Sequence, residues 1–446
     1  MTDEQGTSSP ATRRERLSWA LFDFGNSAFN TVVITFVYAI YFREQLCGGL
    51  GDNGARGDEL WARGQSISAI SVAILAPLLG AWVDRKRGRK KTTAVVLMAL
   101  TLLCTIGLYF PTGAGEGTVS RASSVWGALI LVVVANAFFE LLFVLYNAFL
   151  PELGDEKTVG RLSGLGWGIG YLGGVLCLVL VLFLFLGDDP LVSSEGGQNL
   201  RATNLLVAAW FLVFAMPFVL FVKDRGGQAV SERRKVRDAI SDLKRTLIAL
   251  RAYPDLLRLF LGRLLYNDAI LALTGLAALY MSGTLGMDAD ESVLVAIWLY
   301  VIAGFAAFGF GYFDDRVGSK PTILISVGFV FVGAALAILV PTANAFWVAV
   351  TLIGVGMGPA QSASRSLLTR FVDKNQSAEF FGLFALTGKA TAWVGPLLFS
   401  VIVEATQSQR WALTPTVLML GGGMLIVFSI DEERGKSRVA RGNSGE

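Results

Sequence analysis

Apolar residues in this chain gather into long unbroken stretches, with polar and charged residues confined to the gaps between them. Twelve such stretches can be marked, at 18–42, 63–83, 92–111, 124–149, 162–186, 203–222, 258–282, 291–313, 321–340, 346–370, 380–404 and 412–430. Each runs for roughly 20 residues, the length that carries a helix across about 30 Å of hydrocarbon. Backbone groups in hydrocarbon find no water, so these stretches are expected to be helices. The pattern therefore predicts an all-α membrane protein with twelve transmembrane helices. It divides into a polar tail at 1–17, six helices over 18–222, a charged segment at 223–257, six more helices over 258–430, and a second tail at 431–446.

Composition agrees. The chain is 53% hydrophobic and 16% charged, with a mean hydropathy of +0.57, whereas soluble domains carry about 25% charge. Histidine is absent, so any proton coupling near neutral pH falls to carboxylates. Cys104 and Cys177 sit in apolar runs and Cys47 in a loop. They form neither a disulfide framework nor a metal-ligand cluster. Gly168, Gly170 and Gly173 make a Gly-x-Gly-x-x-Gly pattern. It lies inside an apolar span with no preceding strand, so it is not read as a nucleotide loop. No cofactor, metal, enzymatic activity or nucleic-acid partner is expected.

Charge placement sets the expected orientation. With a cytoplasmic N-terminus, most of the 38 Lys and Arg fall on the inner side, and the outer loops hold Arg43, Arg56, Arg63, Arg121, Arg201 and Arg410. The positive-inside rule then places both termini in the cytoplasm. Segment 223–257 carries Arg233, Arg234, Lys235, Arg237, Lys244 and Arg245, with Val236, Ile240, Leu243, Leu247 and Leu250 at helical spacing. It reads as a basic amphipathic helix on anionic inner-leaflet lipid, either a gating element or a simple linker.

Two loops repeat one another. GAWVDRKRGRKK runs from Gly80 to Lys91 and GYFDDRVGSK from Gly311 to Lys320. Gly80, Asp84, Arg85 and Gly88 in the first answer to Gly311, Asp315, Arg316 and Gly318 in the second, with one extra residue before the glycine in the first; Arg89 and Lys320 follow the two glycines. A basic turn repeated half a chain later marks two similar membrane halves, the layout of transporters.

These loops resemble the loop between helices 2 and 3, and its repeat between helices 8 and 9, of the major facilitator superfamily. The resemblance implies the major facilitator fold, with two pseudo-symmetric six-helix halves. It also implies a charge relay at Asp84, Arg85, Asp315 and Arg316 that holds the inward gate shut. WALFDFGNSAFNTVVITFVYAIYF (19–42), YNAFLPEL (146–153), RLSGLGWGIGYLGG (161–174), YND (266–268), GMGPAQSASRS (356–366) and FFGLFALTGKATAWVGPLLF (380–399) are similar to the vacuole-effluxer branch. The fungal autophagy-related members of that branch export amino acids from the vacuole. The short tail and compact loops resemble a bacterial-type member, which implies residence in the plasma (inner) membrane.

Charges at membrane depth are costly, which makes each a functional candidate. Asn136, Glu140 and Asn147 share one face of helix 4. Helix 1 offers Asp23, Asn26, Ser27 and Asn30; helix 7 offers Arg263, Tyr266, Asn267 and Asp268; helix 10 offers Gln361, Ser362, Ser364 and Arg365. In the superfamily's arrangement, helices 1, 4, 7 and 10 line the cavity. At 1.5 Å per residue, Glu140, Asp268 and Lys389 lie near the midplane and are expected to be central. Asn26, Asn30, Asn136, Asn147, Tyr266, Asn267, Gln361 and Trp393 are expected beside them. Asp23, Arg263 and Arg365 lie nearer the cytoplasmic mouth, as a gate or a clamp for a substrate carboxylate. Each has a structural alternative: Glu140 as partner of a buried cation, Lys389 as neutraliser of Asp268 or Glu140, Arg365 as a snorkelling side chain. The glycines of helix 5 suit close helix packing. Gly354, Gly356, Gly358 and Pro359 could break helix 10.

The expected function is secondary transport of a small polar or zwitterionic metabolite, an amino acid being favoured by the resemblance. It would proceed by alternating access in a monomer, coupled to a proton or ion through Asp268 or Glu140. A lipid or lysolipid flippase and a non-transporting membrane sensor of the same fold are the alternatives.

Overall fold

In the computed structural model, residues 10–48, 55–86, 88–113, 120–225, 250, 253–389, 391 and 394–443 are described. Among these are twelve helices long and apolar enough to cross a membrane: α1 (Arg13–Leu46), α2 (Arg56–Asp84), α3 (Arg89–Gly107), α4 (Ala122–Leu153), α5 (Val159–Phe185), α6 (Glu195–Phe221), α7 (Pro254–Leu285), α8 (Glu291–Val317), α9 (Ser319–Leu339), α10 (Ala343–Arg370), α11 (Lys374–Thr406) and α12 (Gln409–Phe428). A thirteenth helix, α13 (Glu432–Asn443), follows. The amphipathic segment expected at 223–257 falls largely on positions outside the described residues, as does Trp393.

Most helices begin about one turn before their apolar stretches. Apolarity marks only the hydrocarbon crossing, while hydrogen-bonded turns continue into polar surroundings, where caps hold them. Thr12 accepts from the Glu15 amide and Glu15 reaches back to the Thr12 amide, opening α1. Asp288 and Glu291 repeat this reciprocal cap at the start of α8. The stretch 431–446, read as a tail, is helical over Glu432–Asn443. Of the two possibilities for α10, broken or continuous, the structure has the continuous one. The helix runs unbroken through Pro359, and Gly356 and Gly358 are instead points where it meets the backbone oxygens of Ser326 and Ala303.

The chain ends share one face. Arg225, after α6, pairs with Glu15 of α1 at 2.7 Å. Arg434 of α13 pairs with Asp255 of α7 at 2.6 Å. We call this the terminal face.

Helices α1–α6 and α7–α12 form the two halves, which pack most extensively along two helix pairs. In α5, Gly164 and Gly168 face the backbone of Ala307, Gly311 and Gly304 in α8; a methyl on Gly168 would lie 2.8 Å from the Gly304 oxygen. In α2, Gly80 lies against the backbone of Ala378 and Glu379 in α11. Lipid is as apolar as leucine, so burial alone does not drive helices together, and close packing of small residues takes its place. Gly80→Leu should therefore hold the halves apart at the terminal face. Spin labels at the exposed positions Lys86 and Lys374 should then report a longer distance than in the parent protein.

Helix α13 adds a polar tie between the halves. Lys436 reaches Glu156, in the loop between α4 and α5, at 2.8 Å. The hydrogen bond from Lys436 holds the Glu156 carboxyl below its ordinary value of 4.5. Partial burial opposes the Lys436 charge, but bonds to Glu156 and Glu433 carry its ammonium above 10.5. A depressed acid contributes stability above its unfolded value, and a raised base contributes it below its own. The tie should therefore hold between those limits, loosening as pH falls below 4.5 or rises past 10.5. Glu156 is 64% exposed, so the effect is small and weakened by salt. Mobility of a spin label at Ser437 should increase below pH 4.5, and in Lys436→Ala at neutral pH.

Candidate functional site

A cavity of about 320 Å³ lies between the halves, beyond the contacts at the terminal face. Its walls come from α1 (Asp23, Asn26, Ser27, Asn30, Thr31), α4 (Phe139, Glu140, Phe143, Val144, Asn147), α7 (Arg263, Asn267, Leu271) and α10 (Gln361, Arg365), as the polar stripes suggested. Helices α5, α8 and α11 contribute Trp167, Gly170, Tyr171, Tyr300, Phe381, Phe384, Ala385, Gly388 and Lys389. Past its cavity-lining residues Asp23 to Ser27, α1 switches to a π-helical turn over Phe29–Phe36. Such turns recur at functional sites; here the turn carries Asn30 and Thr31.

Arg365 does not snorkel. It is 1% exposed and crosses from α10 into the first half. Nη1 donates to Asn147 Oδ1 at 2.8 Å, Nη2 to the Ser163 carbonyl at 2.7 Å, and Nε to Ser163 Oγ at 2.9 Å. The rings of Trp19, Tyr146 and Trp167 surround it. Asp23 lies 3.8 Å away and accepts a bond from Tyr146 Oη at 3.3 Å. Asn147, Asp23 and Arg365 thus form one cross-half cluster.

A second cross-half pair lies higher in the cavity, where Lys389 of α11 donates to Glu140 of α4 at 2.7 Å. Of the two partners considered for Lys389, the structure places it on Glu140. Within the second half, Gln361 donates to Asn267 at 2.7 Å. Arg263 lies over the Phe384 ring at 3.7 Å, and its Nη1 donates to the Phe384 carbonyl and to Thr387 Oγ1 at 3.0 and 2.9 Å.

Asn136, Tyr266, Asp268, Ser362 and Ser364 do not line the cavity. Asn136 turns to α2, where it donates to Gln65 and Ser68 at 3.2 and 3.0 Å. Tyr266 pairs with Ser364 of α10 at 2.5 Å. Asp268 is 2% exposed, and neither carboxylate oxygen has a hydrogen-bond partner.

The repeated loops close the terminal face in matching ways. Asp84, at the end of α2, accepts from the amide of Glu379 in the first turn of the helical segment Ser377–Lys389 at 2.8 Å. Asp315, at the end of α8, accepts from the amides of Gly160 and Arg161 at the start of α5, at 2.7 and 3.1 Å. Each aspartate therefore places its charge at the N-terminus of a helix from the opposite half, worth about 0.3–2 kcal/mol apiece. Gly88 and Gly318 have φ of 82° and 104°, turns that suit glycine. Arg89 donates to the Trp82 carbonyl at 2.9 Å. Arg316 is exposed.

The extra residue of the first loop is one of two. Lys91 bonds the Val222 carbonyl after α6 at 2.6 Å, and Lys320 bonds the Ile430 carbonyl after α12 at 2.7 Å, so these two lysines correspond. Lys91 follows Asp84 by seven positions, and Lys320 follows Asp315 by five.

Several residues that tie this face together were not anticipated. Lys90 is 2% exposed and bonds Glu152, the Ala148 carbonyl and Ser377 of the opposite half. Arg370 pairs with Asp314 at 2.6 Å, contacts Ser319 and reaches the Glu156 carbonyl at 3.3 Å. Asp314 beside Asp315, and Lys90 inside the first loop, were visible signals. Glu152 and Arg370, at the matching ends of α4 and α10, required the fold.

The arrangement is that of known transporters. The chain superposes on FucP, a major facilitator superfamily transporter in the outward conformation, with a TM-score of 0.72 at 15% identity, covering 94% of this chain and 99% of that one. For the proton:xylose symporter XylE the TM-score is 0.69 at 15% identity, covering 95% and 96%. The sequence model described as "Vacuole effluxer Atg22 like" matches residues 63–440. The chain belongs to this family. It is 25% identical over 426 residues to the uncharacterized MFS-type transporter YxiO of Bacillus subtilis (strain 168), covering 95% of this chain and 96% of that protein. It is 20% identical to autophagy-related protein 22 of Eremothecium gossypii, covering 96% and 92%. This vacuole-effluxer relative is thus an integral membrane transporter of the major facilitator type rather than an enzyme.

The Glu140–Lys389 pair joins two halves and is only partly screened, with side chains 18% and 28% exposed. A double-mutant cycle of Glu140→Ala and Lys389→Ala, read by thermal unfolding in detergent, should return a coupling of about 1 kcal/mol or more. Independent, additive effects would show that the pair contributes nothing.

Proposed function

We propose that this chain is a secondary active transporter that moves a small polar or zwitterionic metabolite across the bacterial plasma membrane by alternating access. The observation that carries the reading is the cavity between the two halves, lined by charges from both and sealed on one side by the mirrored aspartate caps. The sealed side is the terminal face. Lysines and arginines concentrate there, so the positive-inside rule makes it cytoplasmic, and the conformation described is outward-facing. Opening the other way requires the Asp84 and Asp315 caps, the Lys90 and Arg370 clusters and the Arg365 cluster to release together.

An amino acid is the favoured substrate, on the family resemblance. Cationic and anionic groups face the same cavity, which suits a zwitterion. Glu140 and Asp268 are the proposed coupling carboxylates. Glu140 bridges the halves through Lys389, so its protonation would free that contact. Asp268 is a buried carboxyl group without a partner, a costly arrangement at membrane depth unless it takes up a proton or cation.

Uptake of labelled amino acids into proteoliposomes, with and without an imposed pH gradient, tests the reading. Gradient-driven uptake is expected. Asp268→Asn or Glu140→Gln should cut the gradient-driven component to about a tenth or less while leaving exchange intact, a coupling loss in the usual range. Full gradient-driven uptake in both variants removes the carboxylate coupling. Absence of any uptake by folded protein removes the amino-acid assignment.

A further inference from the structure

We propose that Arg263 is the anchor for a substrate carboxylate, that this carboxylate is the group the cavity recognises, and that a substrate amino group is dispensable for binding. The inference rests on the cavity being the transport site. It follows from which charges in the cavity are already satisfied.

Five ionisable acids and bases line the cavity: Asp23, Glu140, Arg263, Arg365 and Lys389. Lys389 is held by Glu140 at 2.7 Å. Arg365 is held by Asn147 and Ser163 and lies 3.8 Å from Asp23. Arg263 alone of the three cations has no carboxylate within ion-pair distance among the described residues. It is 8% exposed, and its Nε is buried with no hydrogen-bond partner. With all five groups ionised the cavity carries one excess positive charge, and that charge is Arg263.

The guanidinium is also pre-positioned. Phe384 lies beneath it at 3.7 Å, and two acceptors on α11 fix Nη1. A planar fork held in this way leaves the in-plane donors of Nε and Nη2 for a two-oxygen acceptor, the geometry of a carboxylate. A buried cation left unpaired is costly, so an anion that pairs with it recovers that cost. Neither of the two carboxylates that line the cavity is comparably vacant for an ammonium group. Glu140 already holds Lys389, and Asp23 already accepts from Tyr146 beside Arg365.

The test separates the two functional groups of an amino acid. Purified full-length protein in detergent is titrated with sodium propionate, alanine and propylammonium chloride, with sodium chloride at matched ionic strength as reference. The readout is the shift in thermal unfolding midpoint, which grows with occupancy. Propionate and alanine should both raise the midpoint above the chloride reference, and propylammonium should not. Arg263→Gln should abolish the propionate shift. Arg263→Lys keeps the charge but loses the fork, and it should weaken apparent affinity by about tenfold or more; it also serves as the test if Arg263→Gln does not fold. Three results would each overturn the assignment: a propylammonium shift equal to that of propionate, the same shift from chloride, or parental propionate binding in either variant. Propionate binding that depends on Arg263 without proteoliposome uptake would remove the transport reading and leave the anchor. Uptake that persists in Arg263→Gln would do the reverse.

Discussion

Two carboxylates at the terminal face determine how the halves of this protein meet. Asp84 and Asp315 each end a helix of one half and accept backbone amides at the start of a helix of the other. A helix start carries unsatisfied amides and a partial positive charge, which stabilises a carboxylate there; Asp315 also has Arg161 at 3.5 Å and Arg370 at 3.7 Å. Lipid supplies no hydrophobic force between helices, which leaves such contacts and glycine-mediated packing to hold the halves together. Both are local and reversible. Gly80 and Asp84 act on the same helix end, as do Gly311 and Asp315.

The floor of the cavity depends on the same economy of charge. Arg365 crosses between halves and finds every partner in the first one: Asn147, Ser163 and the aromatic cage of Trp19, Tyr146 and Trp167. Its nearest carboxylate, Asp23, is at 3.8 Å, so neutral acceptors do most of the solvating. Fully desolvated ion pairs repay their cost poorly, whereas hydrogen bonds from a guanidinium to fixed dipoles satisfy the donors and keep the cluster able to separate. Above it, Glu140 and Lys389 make a close ion pair in the cavity wall, and Arg263 has no countercharge among the described residues. The cavity is thus graded, from a solvated cation at the floor to a paired one and an unpaired one along the walls.

Internal symmetry explains much of the gate, and its departures are equally physical. Lys91 and Lys320 tie the starts of α3 and α9 to the ends of α6 and α12 in the same way. Lys90 and Ser319 then occupy matching positions with different chemistry. In the first half a lysine meets Glu152 of α4; in the second the cation is Arg370 of α10, and the acid is Asp314. The sign of each partner has been exchanged between loop and helix end, while one buried ion pair is kept per half.

The apolar stretches alone determined twelve crossing helices, because hydrocarbon leaves the backbone no other way to satisfy its hydrogen bonds. The repeated loops determined the two halves, and the polar stripes of helices 1, 4, 7 and 10 supplied ten of the 24 residues that line the cavity. Sequence could not determine which way a polar side chain turns within its helix. Asn136 shares a face with Glu140 and Asn147, yet it serves Gln65 and Ser68 of a neighbouring helix. Nor could it pair charges across the halves, since Lys389 and Glu140, or Arg370 and Asp314, are joined by packing rather than by spacing. Pro359 and its glycines left a break in α10 open; neighbouring helices approach there and α10 stays whole. Helical period fixes which residues share a face; only the tertiary structure decides what that face meets.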